Sequence, residues 1–241
     1  MHATIQKPID EIVKHIRPGE RVFVVGCNNC AWKCYSGGED ETKMMAKRLE
    51  RKGIEVAGYT VPGPQGMSLC KLSHTKKVLM EDHAEEIKKA DSFLILGCGQ
   101  GVHTVIDATN GGMVHPGCDT VFGGETVSDT DIEEYCSLCG ECIIEFTGGL
   151  CPMTLCAKQL LNGPCGGAEN GHCEVDKDRP CGWIMIYERL QKLGRLDLLD
   201  PYQSAKNNSK WSRPRSLKVS PTAALTHVFF KSMIVRVSLK P

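Results

Sequence analysis

Apolar and polar positions in the first half of the chain switch between strand-like and helix-like periods. Arg21-Val22-Phe23-Val24-Val25-Gly26 is a short β-branched run ending in glycine, as a buried parallel strand reads. Glu39–Lys52 carries Met44, Met45 and Leu49 as an apolar stripe. Asp40 and Glu41 lie at the end where a helix dipole favours acid, and Gly53 stops the helix. Ile54–Tyr59 predicts a second strand, Lys76–Ala90 a second helix, and Asp91–Leu96 a third strand running into Gly97-Cys98-Gly99-Gln100-Gly101. Val102–Ala108 is a further amphipathic piece, leading to a short apolar Thr120-Val121-Phe122. That order predicts an α/β fold, a small flavodoxin- or Rossmann-like open parallel sheet with crossover helices.

From Ser128 the periodicity fades. Residues 136–182 are rich in Cys and Gly and cannot bury an ordinary core, so they need cross-links, and metal is the available kind. Helical periodicity returns over 183–199, where Trp183, Ile186, Leu190 and Leu193 share a face and Gly194 makes a break. The tail has strand-like Val228-Phe229-Phe230 and Met233–Val237. Three regions are expected: 1–125, an α/β domain with a cysteine-lined crevice; 126–200, a Cys-rich metal-cluster domain; and 201–241, a basic tail.

Apolar content of 41% and charged content of 24% over 241 residues fit a globular chain. No apolar run reaches the roughly 18 residues of a membrane span. Met1–Arg17 lacks the apolar core of a signal peptide, so a cytoplasmic location is expected. Aromatics are 6% and no basic patch accompanies them, which argues against nucleic acid. The zero net charge hides an asymmetry. Residues from Pro201 on carry eight Lys/Arg and no acid, leaving 21 basic and 29 acidic groups, net −8, before them. Such a tail can fold back on the body or dock on an acidic partner.

The fourteen cysteines carry the chemistry. Reduced, closely spaced thiols usually mean metal rather than disulfides. Cys136-x2-Cys139-x2-Cys142, followed by Cys151-Pro152, partly matches the ferredoxin run and favours a [4Fe–4S] cluster over zinc. Cys156, Cys165, Cys173 and Cys181 form a sparser set, either a second tetrahedral site or spare candidates for one centre; Cys151 and Cys156 could exchange roles. Cys27, Cys30 and Cys34 follow the first strand, Cys98 the third, and Cys70 precedes the second helix. The first four can converge at the carboxyl edge of the expected sheet and Cys70 could reach it, so four of the five would hold another cluster or one would be a reactive thiol. Cys118 reads as a buried filler. Gly97-x-Gly99-x-Gly101 lacks the dinucleotide spacing, and its glycines suit close backbone approach to a cluster. His103, His115 and His172 read as hydrogen-bonding or surface residues, and Met44, Met45 and Met185 as core. With no legible acid–base pair, the chain reads as an electron carrier or a structural subunit, with no catalytic residue assigned.

Thr147-Gly148-Gly149-Leu150-Cys151-Pro152, Cys156-Ala157-Lys158-Gln159-Leu160-Leu161-Asn162-Gly163-Pro164-Cys165-Gly166-Gly167, Gly171-His172-Cys173 and Cys181-Gly182-Trp183 resemble the small MetV-type subunit of bacterial methylenetetrahydrofolate reductases. Gly26-Cys27-x2-Cys30, Gly37-Gly38-Glu39 and Cys98-Gly99-x-Gly101 agree, so the resemblance covers about residues 20–200. It implies an oxidoreductase subunit of one-carbon metabolism, in the acetyl-CoA pathway of anaerobes, inactive on folate alone. Its partner would be a flavin-binding (β/α)₈ barrel subunit holding FMN or FAD, with further electron-transfer subunits in larger assemblies. The resemblance also implies two or more [4Fe–4S] clusters, with zinc for the cysteine-rich part. The front ligands would be Cys27, Cys30, Cys34, Cys70 and Cys98. The rear ones would be Cys136, Cys139, Cys142, Cys151, Cys156, Cys165, Cys173 and Cys181.

Overall fold

In the computed structural model, which describes residues 1–217, the chain opens with a strand, β1 (His2–Gln6), and a short helix, α1 (Ile9–Val13), before the β-branched run becomes β2 (Arg21–Gly26). There follow α2 (Cys30–Lys33), α3 (Glu39–Arg51), β3 (Glu55–Thr60), α4 (Leu72–Lys77), one π-helical turn over Val78–Asp82, and α5 (Ala84–Ile87). Then come β4 (Ser92–Leu96), α6 (Gly99–Ala108), β5 (Val114–Pro116) and β6 (Cys118–Gly123). Strands β3-β2-β4-β5 form one parallel sheet. This is the expected open α/β fold.

Both central strands are buried on both faces, so successive side chains feed two cores. Val22, Val24, Leu94 and Leu96 pack with Ile12 of α1 and Met45 and Leu49 of α3. Phe23, Val25, Phe93 and Ile95 pack on the other face with Leu79, Val105 and Ala108. Glu20, just before β2, meets His115 of β5 in this unit: His115 Nε2 and Glu20 Oε1 lie 2.7 Å apart, with the two side chains 5% and 10% exposed. Burial pushes the Glu20 carboxyl up. The nearby Ser92 hydroxyl, His115 and the Arg17 amide outweigh it and hold the pKa below the ordinary glutamate value. The folded pKa being depressed, this contribution is complete above the unfolded-state value and is lost as pH falls through the folded one. Glu20→Gln is expected to cost about 1–3 kcal/mol at neutral pH and to flatten the acid limb of a urea-unfolding series. An unchanged limb would show that the carboxylate does not couple to folding.

Several expectations need correction. The fourth parallel strand is β5, not Thr120–Phe122. Those residues lie in β6, which pairs antiparallel with β1, a strand the sequence pattern did not announce. Pro116 fits β5 because this is an edge strand. The helix expected over 76–90 is two short helices around the π turn. Met44 is 48% exposed, since only one of two adjacent helical positions can face the sheet and Met45 takes it. Leu193 is likewise 52% exposed.

The contacts divide the chain between Glu134 and Tyr135. A two-stranded hairpin, β7 (Glu125–Thr126) with β8 (Ile132–Glu133), ends the first unit. Over its described residues the second unit is mostly irregular. It contains a 3₁₀ turn at Ile144–Thr147, α7 (Pro152–Leu155), α8 (Gly182–Leu193) and further 3₁₀ turns at Leu196–Leu199 and Asn208–Trp211. Gly194 caps α8 in the left-handed conformation, φ 64°. Its buried core is Cys181, Trp183, Ile186 and Leu190. The expected strands Val228–Phe230 and Met233–Val237 lie outside the described residues.

Candidate functional site

In a sheet of this order the chain leaves β2 toward one side and β4 toward the other, so a crevice opens at their carboxyl ends. Cys27 directly follows Gly26 of β2, and Cys98 follows Gly97 after β4, at the N-cap of α6. The loop between β2 and α3 folds tightly: the Cys27 amide donates to the Gly37 carbonyl at 2.7 Å, and the Ser36 and Gly37 amides both donate to Ala31. Cys30 is placed at the start of α2, where its sulfur accepts from the His2 amide at 3.4 Å. Burial raises the Cys98 thiol pKa; the amides of Gly101 and Gln100 pull the other way, and Cys27 and Cys30 stand near enough to raise it further. Cys27 packs against Gly97, its Cβ 3.6 Å from where a Cβ there would stand, so Cys27 and Cys98 share this end of the sheet.

Cys34 lies beside β1, its thiol 3.8 Å from the His2 carbonyl. Burial pushes the Cys118 thiol up to about 12, and its sulfur lies 3.4 Å from the Ser36 carbonyl, fitting a filler rather than a ligand. Cys70 is exposed, one residue beyond Leu69. Leu69 also explains Gly101: a methyl group there would stand 2.7 Å from the leucine side chain, so this glycine serves packing rather than approach to a cluster. His103 is an exposed partner of Asp107, and His172 lies on an exposed bridge.

In the second unit, Leu138 and Gly140 adopt left-handed backbone, φ 56° and 82°. The turn aims the Leu138 amide at Cys136 Sγ, 3.4 Å away. Partial burial raises the Cys139 thiol pKa, but the Glu141 backbone, the Lys206 ammonium and the Ser137 hydroxyl outweigh it and lower the pKa overall. The start of the basic tail holds this loop. Lys206 donates to the Glu141 carbonyl, the Asn207 amide and Lys210 reach the Glu141 carboxylate at 2.6 and 2.7 Å, and Arg215 donates to the Leu138 carbonyl at 3.0 Å. Charge asymmetry pointed to such folding back; nothing in the sequence pointed to Glu141.

The sparse set comes together. Cys156, Cys165, Cys173 and Cys181 line one cavity. Cys165 Sγ accepts from the Gly167 amide at 3.4 Å. Amides of Val175 and Asp176 lower the Cys173 thiol pKa. The Cys181 amide is anchored to the Gly171 carbonyl at 2.8 Å, and Lys158 pairs with Glu174 across the same wall. Cys151 caps α7, with Pro152 in its first turn.

Among the described residues, no group of three or more His, Cys, Asp or Glu side chains is placed so that it could hold a metal ion as it stands. The donor chemistry nevertheless fits a metal. Four thiols ring one cavity, backbone amides face Cys136 and Cys165, and two thiols have lowered pKa values, the condition for a thiolate ligand.

No curated protein and no solved structure matches the chain. The family described as "Methylene-tetrahydrofolate reductase C terminal" matches residues 115–209, a stretch that contains nine of the fourteen cysteines. Over that stretch, the chain is similar to the C-terminal region of methylenetetrahydrofolate reductases.

Proposed function

We propose that the chain is the iron–sulfur electron-transfer subunit of a heteromeric methylenetetrahydrofolate reductase, relaying electrons to or from a flavin-bearing partner that reduces methylene-tetrahydrofolate to methyl-tetrahydrofolate. The observation that carries this reading is the coincidence of the matched segment with the cysteine-rich one: a region described as part of a folate reductase holds all eight rear thiols. Cys27, Cys30 and Cys98, with Cys34 or Cys70, would hold one [4Fe–4S] cluster, and Cys136, Cys139, Cys142 and Cys151 a second. A bound cluster supplies one-electron chemistry over a wide range of potentials, and a partner's flavin can combine single electrons into hydride transfer.

The chain's own residues supply the surroundings. Cys27 and Cys98 are buried, which excludes water, while the amides of Leu138 and Gly167 stabilise negative sulfur. We assign the folate chemistry to the partner and no catalytic residue to this chain. A second reading, zinc at Cys156, Cys165, Cys173 and Cys181, is favoured by these four thiols lining one cavity. There the metal would be structural, a closed thiolate site without an open position.

The test is iron, zinc and acid-labile sulfide per chain, on protein purified without oxygen. About eight irons with matching sulfide and one zinc are expected; zinc alone would sink the electron-transfer reading. Cys139→Ala is expected to remove about four of those irons and leave the zinc. Unchanged iron would contradict the ligand assignment.

A further inference from the structure

Residues 206–215, at the start of the basic tail, lie as a strap across the loop that carries Cys136, Cys139 and Cys142. Arg215 donates to the Leu138 carbonyl at 3.0 Å and to the Lys210 carbonyl at 3.3 Å. Lys210 pairs with the Glu141 carboxylate at 2.7 Å, and the Asn207 amide reaches the same carboxylate at 2.6 Å. Backbone also packs on backbone: a Cβ at Gly140, where φ is +82°, would stand 2.8 Å from the Lys210 carbonyl oxygen. These contacts account for holding the loop.

Lys206 does something the others do not. Its ammonium donates to a neutral acceptor, the Glu141 carbonyl oxygen, and the Cys139 thiol lies against that same oxygen, with Sγ 3.4 Å away. Sharing one acceptor makes the ammonium and the thiol neighbours. A thiol can donate to a carbonyl, but a metal-bound thiolate has no proton to give. Once Cys139 is a ligand, Lys206 is therefore the donor left beside its sulfur. Cys136 already has a donor in the Leu138 amide, at 3.4 Å; the one at Cys139 carries a full positive charge.

We propose that Lys206 is a positioning residue for the cluster assigned to Cys136, Cys139, Cys142 and Cys151, donating to the Cys139 thiolate and raising the reduction potential of that centre by its charge. The proposal rests on the iron–sulfur reading given above. One-electron reduction adds one negative charge to the centre, and a fixed positive charge at a ligand sulfur favours that state, since potentials follow net charge and hydrogen bonds to the sulfurs. Lys206 itself transfers neither electron nor proton.

The test is a redox titration of the full chain, purified without oxygen and followed by electron paramagnetic resonance, with dithionite supplying the electron. The centre to follow is the one whose signal Cys139→Ala removes. Lys206→Met is expected to keep that centre's iron and make it about tenfold harder to reduce, about 59 mV more negative for a one-electron couple. Lys206→Gln, which keeps a donor without the charge, should shift it in the same direction, and Lys206→Arg should restore the wild-type potential. An unchanged potential in both neutral variants, or a shift that Lys206→Arg does not reverse, would overturn the proposal and leave the cluster reading intact. Loss of the signal and its iron in both neutral variants would also refute it, by showing that Lys206 holds the loop and does not tune the centre. If Cys139→Ala left every signal and all iron in place, the cluster reading itself would fail, and the role of Lys206 with it.

Discussion

Cys173→Ala is expected to release one metal ion per chain and to unfold the region around α7 and α8 under conditions where Met1–Glu134 stays folded. The reason is the imbalance between the two cores. The sheet is sandwiched between two clusters, each of ten buried residues, whereas the buried core around α8 is Cys181, Trp183, Ile186 and Leu190. A core that small cannot offset the entropy of ordering an irregular, glycine-rich segment. In structural thiolate sites the metal's binding free energy, on the order of 10 kcal/mol, is folding free energy. Cys173 is the ligand whose loss is easiest to interpret, because amides of Val175 and Asp176 already favour its thiolate and its side chain packs in no core. Hydrogen exchange with metal analysis on the same sample reads the result. Intact protection over residues 151–199 with full metal content would show that the four-thiol cavity is not a metal site.

Legibility in the sequence followed the strength of local physics. The strands of the sheet centre were readable because burial on both faces leaves continuous apolar runs, as in Val22–Val25 and Phe93–Leu96. β5 was not, because three residues including His115 and Pro116 carry no period, and β1 was not, because His2–Gln6 buries only Ala3 and Thr4, leaves Ile5 exposed and offers no apolar run. Cysteine spacing suggested the thiol groups, and the topology rule for open sheets suggested the common end of the sheet at which Cys27 and Cys98 follow β2 and β4. Whether Cys156, Cys165, Cys173 and Cys181 share one cavity depended on long irregular loops whose course no spacing encodes.

Gly37→Ala is expected to destabilise the first unit by about 3 kcal/mol or more, with loss of the front thiol grouping and retention of metal in the second unit. A Cβ at Gly37 would run into the Leu96 carbonyl oxygen and stand 2.7 Å from its carbonyl carbon and 2.8 Å from its Cβ. Two of these three atoms are backbone, fixed by β4 in the sheet centre, so the loop itself must retreat. That loop is anchored through Gly37: its amide donates to Ala31, and its carbonyl accepts from the Cys27 amide at 2.7 Å and from the Thr42 hydroxyl at 3.3 Å. Moving it pulls Cys27 and Cys30 away from Cys98, which stays with β4 and α6. Gly53→Ala is the control. Gly53 has φ +79° with open space around it, so an alanine there pays only for left-handed backbone, about 1–2 kcal/mol. Urea unfolding of both variants, with iron measured on each, separates the two causes. If Gly37→Ala cost no more than Gly53→Ala and kept its full iron, the loop would be free to move off Leu96, and the crevice would owe its thiol arrangement to something other than this close contact.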